Sequence, residues 1–124
     1  MKRLIASGII AVIIAVIHFS GNIYIKNVIN ESNHLLENCI EEYKNDENPE
    51  SAAKKLKDYW GKQEDYLSVF AHHDHLDEIE RAINSLSVYS KTKNSEIFHE
   101  YSGTVKTLLH QLLEDNSFNM HSIL

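Results

Sequence analysis

The stretch LIASGIIAVIIAVIHFSGNIYI, residues Leu4–Ile25, contains no charged side chain. As a helix rising 1.5 Å per residue it would reach about 33 Å, enough to cross a hydrocarbon core roughly 30 Å thick. A cleaved secretory signal has a similar charged start and apolar middle, but its cleavage needs small residues after an apolar core of about 7–15 residues. Here the apolar run is longer, and it ends His18-Phe19-Ser20-Gly21. A bulky imidazole stands where a small side chain is required. The segment therefore reads as an uncleaved signal-anchor. Basic residues are retained on the cytoplasmic side, so Lys2 and Arg3 predict a single-pass protein of the cell membrane, N-terminus in and C-terminus out. Residues 1–25 form the cytoplasmic tip and span, with the bilayer as partner of residues 4–25. Residues 26–124 form an extracytoplasmic domain. His18 lies near the outer end of the span and reaches the interface without needing a functional role.

Beyond the span the chemistry changes. The 124 residues allow one domain at most. The first 25 carry only Lys2 and Arg3 as charges, and the rest carry all 18 acidic residues against 10 basic ones, a net charge of −8. Such a domain repels nucleic-acid phosphates and anionic head groups, which excludes nucleic acid as a partner. The eight histidines hold charge in reserve between about pH 5 and 8. A single cysteine, Cys39, rules out an internal disulfide. Its place beside Ile40 on an apolar helical stripe suits a buried small side chain, with a bridge between two copies as the alternative.

The pattern of the outer domain is helical throughout. Ile25, Val28, Ile29, Leu35, Leu36, Cys39, Ile40 and Tyr43 follow 3.6-residue spacing with no breaker after the span. One helix should run from the membrane into solvent until Asn45-Asp46-Glu47-Asn48-Pro49 ends it. Asn48 then caps a second helix with Pro49 at its first position. That helix bears Ala53, Leu56, Tyr59, Trp60, Leu67 and Phe70, and Gly61 weakens it without ending it. Ala71–His73 form a joint, and Asp74 caps a third helix with Asp77 in a short-armed capping box. Leu76, Ile79, Ile83, Leu86 and Tyr89 make its stripe. Thr92–Asn94 turn the chain, and Asn94 or Ser95 caps a fourth helix from Ile97 to Leu113, stopped by Glu114–Ser117. The tail ends on Phe118, Ile123 and Leu124. One Pro and four Gly leave little hairpin chemistry. The fold class is all-α: a transmembrane helix continuing into an extracytoplasmic antiparallel bundle of three to four helices. Residues 26–44 either pack as the fourth helix or stand off as a stalk.

The segments FAHHDHLDEIERAINSLSVY (Phe70–Tyr89) and LLHQLLEDNSFNMHSIL (Leu108–Leu124), with the basic start and span MKRLIASGIIAVIIAVI, carry a family likeness. The chain resembles a bacterial domain-of-unknown-function family of small single-span proteins, number four-three-six-three in that series, mostly from spore-forming Gram-positive bacteria. By that resemblance His73, Asp77, Ile79, Glu80, His110, Ser122 and Leu124 fall on pattern positions. His75 departs from it, standing where an acidic residue is usual. The resemblance implies placement and fold, and it brings no activity with it.

His72-His73-Asp74-His75, followed by Asp77 and Glu78, is the densest group of ligand-type side chains. His73 and Asp77 are four apart and share a helix face, and His110 could approach from the fourth helix. Imidazole and carboxylate at that spacing are what bundle metal sites use, and His73, Asp77 and His110 are the candidate ligands for zinc. The alternative needs no ion. Asp74 and Asp77 suit the positive end of a helix dipole, Asp77 stands four before Arg81 as an ordinary surface pair, and the histidines are solvated joint residues. No HExxH, glycine-rich phosphate loop, nucleophile elbow or CxxC pair is present. The expectation is a non-enzymatic protein without cofactor: a membrane-anchored interaction module of the bacterial envelope, binding another envelope protein or itself. The alternative is a metal- or pH-responsive sensor that uses the histidines and acids and acts through a membrane partner.

Overall fold

The computed structural model describes the backbone of residues 2–123 and the side chains of residues 2–115. Four helices follow one another: α1 (Lys2–Lys44), α2 (Pro49–Phe70), α3 (His73–Tyr89) and α4 (Ser95–Ile123). α1 packs on α2 and α4, and α3 packs on the same two, while the diagonal pairs stay apart. The result is a square, up-down-up-down bundle, as short connections between amphipathic helices favour.

α1 divides into two parts along one unbroken helix of 43 residues. Residues 2–20 are exposed all round, and packing begins at Gly21. From there Ile25, Val28, Ile29, Ser32, Leu36 and Cys39 turn inward at steps of three and four. The lower limit of the packed part is therefore Gly21, inside the apolar run rather than after Ile25. The stalk alternative is resolved: residues 21–44 are the fourth helix of the bundle. A geometric reason lies at Gly21, where a Cβ would overlap the ring of Phe70 from α2. Glycine permits that close approach.

The helix ends obey local chemistry. Asp46 adopts a left-handed φ of 55°. The N–H of Glu47 donates to the Glu42 carbonyl at 2.9 Å and that of Asp46 to the Tyr43 carbonyl at 3.3 Å, a Schellman closure with Asp in the usual glycine position. The Asn48 side chain accepts from the Ser51 N–H at 3.3 Å, capping α2 with Pro49 at its first position. Gly61 sits inside α2 without breaking it. Asn94 caps α4 by accepting from the Ile97 N–H at 3.4 Å. Two boundaries differ from the sequence expectation. α3 enters helix at His73, its N-cap is His72 and no side chain caps it, so Asp74 lies inside the first turn. There the dipole still favours its charge. α4 does not stop at Glu114–Ser117 but continues to Ile123, because that stretch holds neither Gly nor Pro to interrupt the backbone ladder. The side chains of Phe118, Ser122 and Ile123, and Leu124 altogether, lie outside the described residues.

The core is aliphatic with two large rings. Trp60 and Phe98 are the largest fully buried side chains, among Ile25, Ile29, Leu36, Leu56, Leu67, Leu76, Ile79, Ile83, Leu86 and Leu109. Aromatic pairs close the end of the bundle remote from the apolar rod: Tyr43 stacks on Phe98 at 3.8 Å and Tyr89 on Tyr101 at 5.0 Å. Cys39 belongs to this core, fully buried. Its thiol donates to the Pro49 carbonyl at 3.6 Å, and burial pushes its pKa to about 11. A bridge between copies has no access to this sulfur in the folded bundle.

Candidate functional site

The turn from α2 to α3 brings the titratable residues of the sequence cluster beside the lower half of α2. His73, the first residue of α3, is exposed. His110 lies on the outer face of α4, where its Nε2 meets the Glu114 carboxylate one turn on at 3.0 Å. Asp77 lies toward α2. Its carboxylate lies in a group with Glu64 of α2 and Glu80 of α3, all three within 4.8 Å of one another. Among the described residues this is the one set of three ligand-type side chains close enough to share an ion. The residues named from sequence, His73, Asp77 and His110, do not make such a set.

The helix register explains why the carboxylates converge. The buried stripe of α2 runs Ala53, Leu56, Trp60 and Leu67. The inward turn between Trp60 and Leu67 falls to Gln63 and Glu64, two polar residues at a core position. Gln63 is satisfied by Tyr24, whose hydroxyl donates to its Oε1. Glu64 is half-buried against α3 and meets Asp77 and Glu80. Its carboxyl is pushed up to about 7, first by burial, then by the hydrogen bond its protonated form donates to Glu80, and by the charges of Glu80, Asp77 and Asp65. Chemically, this is a carboxyl that holds a proton near neutrality because burial, and after it the neighbouring carboxylates, disfavour its ionised form. The oxygen-only donor set suits a hard cation more than zinc.

The sequence did contain a signal for this group: a polar pair interrupting the apolar stripe at a turn that must point inward. The residue that ties the α3 start to α4 was also missed. His75 Nε2 reaches Asp115 across the helix interface at 3.1 Å, with both side chains substantially exposed.

The sign of the pH effect follows from Glu64. Its folded-state pKa lies above the ordinary 4.5, so the folded protein binds the extra proton between about pH 4.5 and 7. That contribution is complete below 4.5 and is lost as pH rises through 7. Solvent screening at a half-exposed carboxyl reduces it to about 1 kcal/mol. Glu64→Gln should therefore match the native chain at pH 4.5 and exceed it by about that amount at pH 8. Urea unfolding of both proteins in detergent at the two pH values checks this. An equal difference at both would sever the link to the proton.

The fold and this geometry define a class: a four-helix bundle whose first helix extends beyond the packed part as an exposed rod, that helix being long and apolar enough to cross a membrane. The chain belongs to the family described as Domain of unknown function (DUF4363), whose model matches residues 19–123. No curated protein and no solved structure matches it.

Proposed function

We propose that this is a single-pass membrane protein whose bundle is held at the outer surface of the bacterial cell membrane as an interaction module, not as an enzyme. The observation that carries the reading is the division of α1. Residues 2–20 expose Leu4, Ile5, Ile9, Ile10, Val12, Ile13, Ile14, Val16, Ile17 and Phe19, while the same helix buries a single stripe from Gly21 onward. A rod apolar on every side has no favourable place in water, whereas a bilayer satisfies it. Lys2 and Arg3 favour a cytoplasmic N-terminus. A net charge of −8 over residues 26–124 supports a protein partner with basic groups over an acidic polymer or an anionic head group. A reporter fused after Leu124 should be active only outside the cytoplasm, and the mature chain should retain Met1. Activity inside, or a mature N-terminus near Gly21, would remove the basis for this function.

A second reading, a sensor of protons or ions that acts through a membrane partner, is favoured by the protonated Glu64 beside Asp77 and Glu80. Titration of the full chain in detergent with calcium, and with zinc for comparison, tests this reading. Stoichiometric calcium binding that is lost in Glu64→Gln would support it, whereas zinc binding lost in His73→Ala would move the site to the histidines.

A further inference from the structure

Among the described residues, the one cluster of large exposed apolar side chains on the bundle itself lies at the end nearest the apolar rod. Tyr66 is 67% exposed, Val69 74% and Phe70 36%. At i, i+3 and i+4 they share one face of α2. Scattered exposed apolar residues need no explanation, but three on one face at one level do.

Their level can be read from α1. Phe70 rests on Gly21 and its ring lies 6.3 Å from that of Tyr24. The exposed rod of residues 2–20 is about 28 Å long at 1.5 Å per residue, so a hydrocarbon core of roughly 30 Å ends near Gly21. The Gly21–Phe70 contact then falls at the boundary, with Val69 just outside it and Tyr66 one turn further out, in the layer where tyrosine rings concentrate. At that depth, a side chain turned away from the bundle meets head groups and the upper acyl chains. Ile23, 45% exposed on α1 near the same level, shares that environment. The exposed His72, His73 and Asp74 follow Phe70 toward the membrane and need water or head groups, so the turn goes no deeper than this boundary.

We infer that the α2–α3 end of the bundle is a second membrane contact, with Tyr66, Val69 and Phe70 seated shallowly in the outer leaflet beside the span. The inference rests on the transmembrane reading above, and it gives Gly21 a purpose: the missing side chain brings the end of α2 close against the span at the depth where lipid begins.

The test uses the full chain in lipid nanodiscs of phosphatidylcholine, carrying an NBD fluorophore on Val69→Cys. Parallel labels go on Ile10→Cys within the span and on Lys93→Cys at the far end of the bundle. Cys39 is fully buried and stays unlabelled under native conditions. The Val69 label should be quenched by lipids bearing a shallow nitroxide and be several-fold less sensitive to aqueous iodide than the Lys93 label. Tyr66→Cys should behave likewise, which guards against a local effect of one substitution. Iodide access at Val69 equal to that at Lys93, with Ile10 still in lipid, would overturn this inference and leave the span intact. Shielding of Val69 from both quenchers would mean that a second copy covers the patch, which also overturns it. An Ile10 label in water would remove the span and this contact together.

Discussion

Trp60→Ala is expected to destabilise the protein by about 3–5 kcal/mol, the cost of removing a large ring from a close-packed core. The indole is 1% exposed. It stands one turn from Leu56 on the inner face of α2, in the same core as Ile29 of α1 and Ile83 of α3. Its removal leaves a void that three helices cannot all close. Urea unfolding in detergent, followed by far-ultraviolet circular dichroism because Trp60 is the single tryptophan, measures the loss. Trp60→Phe supplies the control. The indole N–H has no acceptor among the described residues, so phenylalanine retains a ring and removes a buried donor, and should cost much less than alanine. Equal losses for the two variants would show that the N–H, not the ring, holds this site.

Phe98→Ala should cost about 3–5 kcal/mol as well, but with a different signature. Phe98 is fully buried and stacks on Tyr43 of α1 with ring planes 10° apart. The Tyr43 hydroxyl donates to the Thr92 carbonyl at 3.1 Å, and this exposed bond adds little because water can replace it. The Lys106–Glu37 pair, at 3.0 Å and largely exposed, is worth at most several tenths of a kcal/mol. The ring stack therefore outweighs these two polar contacts in fastening the upper ends of α1 and α4. In Phe98→Ala, amide exchange should accelerate in residues 35–44 before it does in α2 and α3. Unchanged exchange there would mean that α1 is held by other contacts. Tyr43→Phe, which keeps the stack, should change stability by less than about 1 kcal/mol.

Much of this architecture was legible before any coordinates. Asn48 and Pro49 announce the start of α2 through the hydrogen-bonding needs of a helix end, and Asn94 does the same for α4. Ile25, Val28, Ile29, Leu36 and Cys39 announce a buried stripe by spacing alone. The α3 start differs from the sequence expectation at Asp74 because an acid favours the first turn almost as much as the cap, and the two positions look alike in sequence. The α4 end was misassigned because Glu-Asp-Asn-Ser resembles a turn. Weak helix formers lower the propensity by only tenths of a kcal/mol each, which the rest of the helix overrides.

The candidate site was the least legible part. Density of histidine drew attention to His73 and His110, yet ligation depends on which faces of which helices meet. Asp77 shares a sequence spacing with His73 and a helix interface with Glu64, and only the interface puts carboxylates within reach of each other. Likewise His75 and Asp115 are 40 positions apart and meet only because α3 and α4 run antiparallel at that register. By itself the sequence determined what local forces determine: an apolar rod, four helices, the caps of α2 and α4 and the inward stripes, since these depend on neighbours within a turn or two. The tertiary structure alone decided that residues 21–44 close the bundle, that Cys39 is sealed inside it, and that Glu64, Asp77 and Glu80 share one space. Those outcomes depend on the relative register of separate helices, which is set by the summed packing of all four stripes and is written in no single segment.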